Sequence, residues 1–121
     1  MTQGSLAQWV VNAVDPLALA RFWAFVIGGD VEARSDGWVV LHGAEGQPRL
    51  SFQPTPEAKA RPNRVHADVV VDDLSASVRS VVGHGATPVG EVVTDEEGSF
   101  QVLRDPEGNE FCLVKPDADG F

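Results

Sequence analysis

The stretch Asp105-Pro106-Glu107-Gly108-Asn109-Glu110-Phe111-Cys112-Leu113-Val114 decides the fold. Asp-Pro followed by Gly-Asn is a tight turn, because proline presets φ while glycine and asparagine tolerate positive φ. The strand that leaves the turn alternates in character. Phe111 and Leu113 share one face, Glu110 and Cys112 the other. A half-buried strand points such a polar face at water. If the face lines a cavity instead, the strand carries part of a site.

Working outward from this strand, residues 99–104 (SFQVLR) read as its neighbour, reached from a strand over 86–93 through the acidic turn Asp95 to Gly98. Upstream, Asp72 or Asp73 caps a helix carrying Leu74, Val78, Val81 and Val82 on one side, which Gly83 and Gly85 end. Residues 64–71 (RVHADVVV) form the strand that feeds it. The first half reads the same way. A strand over 6–14 leads to Asp15-Pro16, a cap followed by proline at the first helical position. Leu19, Phe22, Trp23 and Val26 make one apolar stripe, and Gly28-Gly29 stops the helix. Short strands follow at 30–34, 38–42 and 49–53, with Ser35-Asp36-Gly37 as a hairpin turn.

The sequence therefore predicts two β-α-β-β-β modules, 5–53 and 64–116, within one domain over 1–121. The proline-rich segment 54–63 joins them as a linker. Val14-Asp15-Pro16-Leu17 matches Val71-Asp72-Asp73-Leu74, and Leu50-Ser51-Phe52 matches Phe111-Cys112-Leu113. Neither half is large enough to cover both faces of its own sheet. One helix covers one face. The other face is expected to meet a second sheet, from the other half or from another chain, with a cavity between them.

Composition narrows the partners. The chain has 121 residues, 43% of them hydrophobic, and a net charge of −9. Such a charge argues against nucleic acid or an anionic membrane as partner. No apolar run is long enough to span a bilayer, and Met1-Thr2-Gln3-Gly4-Ser5 does not read as a signal peptide. Cys112 is the single cysteine, which excludes an internal disulfide and points to the cytoplasm.

The paired modules, the strand-Asp-helix entries, Phe22-Trp23 with Gly28, and the Asp105 to Asn109 turn together resemble the vicinal oxygen chelate superfamily. This is the superfamily of glyoxalase I, extradiol dioxygenases and bleomycin-resistance proteins. The finer pattern is similar to short bacterial glyoxalase-like proteins. The resemblance implies an α+β fold, a curved sheet or open barrel around a cavity, and a homodimer. It also implies one divalent ion held from the first, fourth, fifth and eighth strands, usually by His, Gln and Glu.

Mapped onto this chain, those positions fall on Gln8, Ser51 (or Gln53 with a shifted register), His66 and Cys112. Gln8 lies seven residues before Asp15, His66 seven before Asp73, and Cys112 seven after Asp105. The internal repeat instead pairs Trp9 with His66, which leaves the first position open by one residue. No carboxylate stands at the fourth- or eighth-strand position. Hard ions such as Mg²⁺ want oxygen ligands. Gln8, His66 and Cys112 would suit Zn²⁺ better, yet they make a poor set of three. The expectation is a degraded metal site and no cofactor, with Zn²⁺ the most compatible ion if one is held.

With a period of two, the cavity face carries Gln8, Asn12, Ser51, Gln53, His66, Asp68, Glu110 and Cys112. His66 and Asp68 project to the same side and could form an acid–base couple, with Glu110 as a further carboxylate. The same two residues would equally make a structural hydrogen bond. Cys112 beside an imidazole could be a thiolate nucleophile, or a small apolar filler. Trp38 and Phe100 open corresponding strands and could wall a pocket for a flat organic ligand; Trp38 suits the core as well. The leading expectation is a protein that binds or processes a small molecule. The alternative is a divalent-metal-dependent lyase or isomerase of the glyoxalase type.

Overall fold

Aspartate caps set both helices. Helix α1 (Pro16–Ile27) follows strand β1 (Trp9–Ala13), and the Asp15 carboxylate accepts the Ala18 N–H at 3.1 Å. Helix α2 (Leu74–Gly83) follows β5 (Ala67–Val70), and Asp73 accepts from Ala76, also at 3.1 Å. Each such cap contributes about 1 kcal/mol by satisfying an amide that the first helical turn leaves unpaired. Gly28, at φ 80°, takes the left-handed backbone that stops α1. The computed structural model describes residues 3–117, which divide into two units, Met1–Ala58 and Lys59–Phe121. Met1 and Thr2 of the N-terminal stretch lie outside the described residues.

The first unit adds β2 (Asp30–Ala33), β3 (Val39–His42) and β4 (Leu50–Pro54), in the sheet order β1-β4-β3-β2. The second adds β6 (Thr87–Asp95), β7 (Gly98–Arg104) and β8 (Glu110–Pro116), in the order β5-β8-β7-β6. In both, the first strand pairs parallel with the last, and the remaining pairings are antiparallel. The fold is α+β, two β-α-β-β-β modules each with an open four-stranded sheet.

Each helix lies on one sheet face. In the first unit α1 packs on β3 and β4, burying Leu19, Ala20, Leu41 and Phe52 completely. In the second, α2 packs on β8, β7 and β6 over Leu103, Phe111 and Leu113, with Leu74 and Val81 from the helix. Each fully buried Leu or Phe contributes about 1.5–3 kcal/mol. Gln101 is a polar member of this layer. Its side-chain amide donates to the carbonyls of Val89, Gly90 and Val102 at 2.8–3.2 Å, where the β6–β7 register slips.

Several strand ends differ from the sequence reading. β1 begins at Trp9 rather than residue 6, and β5 begins at Ala67, so His66 stands immediately before its strand. Trp38 lies outside β3, in the hairpin turn, its N–H donating to Asp36 at 3.0 Å. β6 continues to Asp95 and β7 starts at Gly98, which shortens the acidic turn to Glu96-Glu97. No helix among the described residues is long and apolar enough to cross a membrane.

Candidate functional site

Residues opposite one another on neighbouring strands share a face. In the second unit Asp68 lies opposite Cys112, Cys112 opposite Val102, and Val102 opposite Val89. The next row holds Val70, Val114, Phe100 and Val93. Both rows face away from α2, because the alternate residues Phe111, Leu113 and Leu103 form the core beneath the helix. His66, two residues before Asp68, completes the constellation.

The ligand atoms of His66, Asp68 and Cys112 all lie within 4.8 Å of one another. His66 Nε2 is 3.3 Å from Asp68 Oδ1. The Cys112 thiol is pushed above its ordinary range, first by burial, then by the negative charge of Asp68 and the hydrogen bond between the two side chains. A thiol held by a carboxylate keeps its proton. Such a shift works against the thiolate reading of Cys112 and favours a thiol that donates a hydrogen bond to Asp68. Asp68 is the centre of the group, bordered by the imidazole and the thiol. These residues line an open pocket of about 240 Å³, together with Phe100, Val114, Asp95 and Glu97.

Glu110 does not join this group. Lys59 Nζ stands 3.2 Å from its carboxylate, and the Asn63 N–H donates to it at 3.1 Å. Burial works against its charge, but hydrogen bonds from its own and the Asn63 backbone, and then the Lys59 ammonium, outweigh that and hold the carboxyl below its ordinary value. A carboxylate so engaged is a clasp on residues 59–63 rather than an acid–base group. Lys59 is one half of that clasp.

In the first unit the matching rows can be read from the same register. Val10, Ser51, Val40 and Glu32 stand where the second unit has Asp68, Cys112, Val102 and Val89. Gln8, two residues before Val10, is therefore the counterpart of His66. This corrects the repeat that paired Trp9 with it; Asp15 matches Asp73, not Asp72. Ser51 is 1% exposed, and its hydroxyl donates to Gln8 Oε1. Asn12 and Gln53 are cross-strand partners and both exposed, and Trp38 is half-buried in its turn. On this face the Glu32 carboxylate and His42 Nε2 are 2.7 Å apart.

Asp95 and Glu97 are the site residues the sequence reading missed. A solvated hairpin tip was expected there. The signal was the length of β6: it runs on past Val93 to Asp95, opposite Gly98, and period two puts Asp95 on the face of Val93 and Phe100.

Comparison with known proteins fits this geometry. The sequence matches the glyoxalase-like domain family over residues 8–114. The chain belongs to that family. It is thereby a member of the vicinal oxygen chelate superfamily, and the fold is the glyoxalase-like one. A glyoxalase/bleomycin resistance protein/dioxygenase family enzyme from Burkholderia phytofirmans superposes with a TM-score of 0.77 at 19% identity, covering 93% of this chain and 99% of that one. A glyoxalase-related enzyme from Fulvimarina pelagi gives 0.71 at 15% identity, covering 98% and 96%. The oxidase ChaP-H2 gives 0.64 at 17% identity, covering 98% of both chains. At such identities the likeness concerns the fold alone. No curated protein matches.

Proposed function

We propose that this glyoxalase-like protein binds and processes a small organic molecule in the pocket of its second unit, with His66 as the proton-transfer group and Asp68 as its partner. The observation that carries this reading is the Asp68 carboxylate set between the His66 imidazole and the Cys112 thiol, at the wall of the pocket. A carboxylate beside Nε2 favours the tautomer with its proton on that nitrogen. Nδ1 then carries the lone pair that can take a proton from a substrate carbon or hydroxyl. Phe100 offers a flat apolar surface to orient the substrate. Cys112 tethers the carboxylate by donating to it.

A second reading, a metal-dependent lyase or isomerase, is favoured by one feature. Imidazole, carboxylate and thiol are three donors of the kinds that hold Zn²⁺, at bond lengths of about 2.0–2.3 Å. Donor atoms within 4.8 Å of one another need only small rotations to converge on such an ion, so the residues fit. The set is His66, Asp68 and Cys112, with Asp68 taking the place expected of Gln8. A bound ion would supply a Lewis acid; loading it would require the Cys112 proton to leave. The same proposal includes a homodimer, supported by exposed Trp9, Val10, Val70 and Val93, and a cytoplasmic setting, supported by the free Cys112.

The test is a screen of small aromatic and carbonyl compounds by amide chemical shifts, followed by His66→Ala. Hits should move the Phe100 and Cys112 signals. His66 is 56% exposed in its side chain, so the variant should stay folded and change stability by less than about 0.5 kcal/mol. Turnover of a hit should fall by about 10²–10⁴-fold, the usual worth of a positioned acid–base group. An unfolded variant, or unchanged binding and turnover, would overturn the reading.

A further inference from the structure

The pocket has a charge preference that follows from its walls. Three carboxylates line it, Asp68, Asp95 and Glu97, against one ammonium, Lys115, among the described residues. They surround an apolar floor of Phe100 and Val114. Asp68 lies on edge strand β5, whereas Asp95 and Glu97 come from the far end of the β6–β7 hairpin. The acidic groups thus approach the floor from two sides. Strand β6 is irregular between Val89 and Val93. Gly90, at φ 69°, begins the irregular stretch, and the Gln101 amide binds the carbonyls it leaves unpaired. Asp95 in turn accepts the Glu97 N–H at 2.9 Å, which holds the tip of the hairpin in shape.

We infer that the pocket selects small organic cations, amines or quaternary ammonium compounds with an aromatic or aliphatic body, over neutral and anionic molecules of the same shape. This rests on the pocket being the ligand site proposed above and names the class of molecule it takes. The cationic head meets the Asp95 and Glu97 carboxylates at one end of the floor, over Phe100, whose ring attracts cations electrostatically, while Asp68 adds its charge from the other end. The apolar body lies on Phe100 and Val114. An anion would meet three like charges. The volume, about 240 Å³, is below the usual range for drug-sized ligands, about 300–1,000 Å³, and suits a small amine. The net charge of −9 adds a long-range attraction of the same sign.

The probes are benzylamine, benzyltrimethylammonium, benzyl alcohol and benzoate, titrated into the full chain while amide shifts are followed. The expected result is saturable movement of the Phe100, Cys112 and Ser99 signals with the two cations, weaker movement with the alcohol and none with benzoate. Asp95→Asn and Glu97→Gln, both on the hairpin, should each weaken benzylamine binding by about two- to fivefold, the upper end of what exposed charges contribute. Added salt should weaken it further. Benzoate or benzyl alcohol binding in the pocket as well as benzylamine would overturn the charge preference and leave the site standing. Unchanged benzylamine affinity in both variants would do the same. No pocket signal moving with any of the four would sink the preference together with the site.

Discussion

The two units share a scaffold and differ in what they hang on it. Each has a parallel pair of first and last strands, an aspartate-capped helix beneath one face, and a row of four side chains across the other. In the first unit the row begins with Val10 and Ser51, and Ser51 is satisfied by Gln8, a neutral pair that does not titrate. In the second the same places hold Asp68 and Cys112, with His66 where Gln8 stands. Repetition of the backbone therefore does not repeat the chemistry. Three positions separate the Gln8–Ser51 pair of one unit from the His66–Asp68–Cys112 group of the other, and none of them lies in the helix-covered core.

The comparison can be broken first at the core. Phe52→Ala and Phe111→Ala each empty a fully buried site and should each cost about 3–5 kcal/mol in urea unfolding. Similar losses would confirm equivalent scaffolds. A loss confined to one variant would show that a single unit carries the stability measured.

A smaller effect sharpens the difference between the polar faces. If Zn²⁺ is held by His66, Asp68 and Cys112, then the ion at about 100 times its dissociation constant should stabilise the fold by about 2.7 kcal/mol, seen as a rise in Tm over the EDTA-treated protein. Asp68→Asn should abolish the rise and Gln8→Ala should retain it. A rise lost with Gln8→Ala would mean that both units supply ligands. No rise with any divalent ion would leave the metal-free reading alone.

The smallest effect concerns the thiol. Because burial and Asp68 raise its pKa, Cys112 should react with thiol reagents at neutral pH more slowly than in the unfolded chain. Asp68→Asn should speed labelling a few-fold. The linkage has a definite sign. A proton held more tightly in the folded state stabilises it below the ordinary thiol range, and that contribution is lost as pH rises through the folded value. Labelling as fast as in the unfolded chain would remove the Asp68–Cys112 contact.

Much of this was legible in the sequence, for local reasons. Asp15-Pro16 and Asp73 mark the helix starts because a cap needs only the next three residues. Period two placed Gln8, Ser51, His66, Asp68 and Cys112 on the face away from the helices, since alternation is a property of the strand itself. Glu110 was placed on the same face for the same reason, but its contacts were not foreseen. Its partners Lys59 and Asn63 come from a segment that shows no pattern of its own, and a clasp between distant segments leaves no periodic trace. Asp95 and Glu97 looked like a polar turn because the strand before them was read as ending at Val93, whereas β6 runs on to Asp95 along the edge of the pocket.

The sequence by itself determined the elements, their order, the two-module repeat and which face of each strand is polar. These follow from dihedral preference, capping and hydrophobic period, all set within a few residues. The tertiary structure decided the register, and with it the site. The parallel pairing of β5 with β8 sets Asp68 opposite Cys112, and that of β1 with β4 fixes Gln8, not Trp9, as the match of His66. A parallel pair is joined by the whole module between its strands, and no short-range signal fixes where two such strands meet.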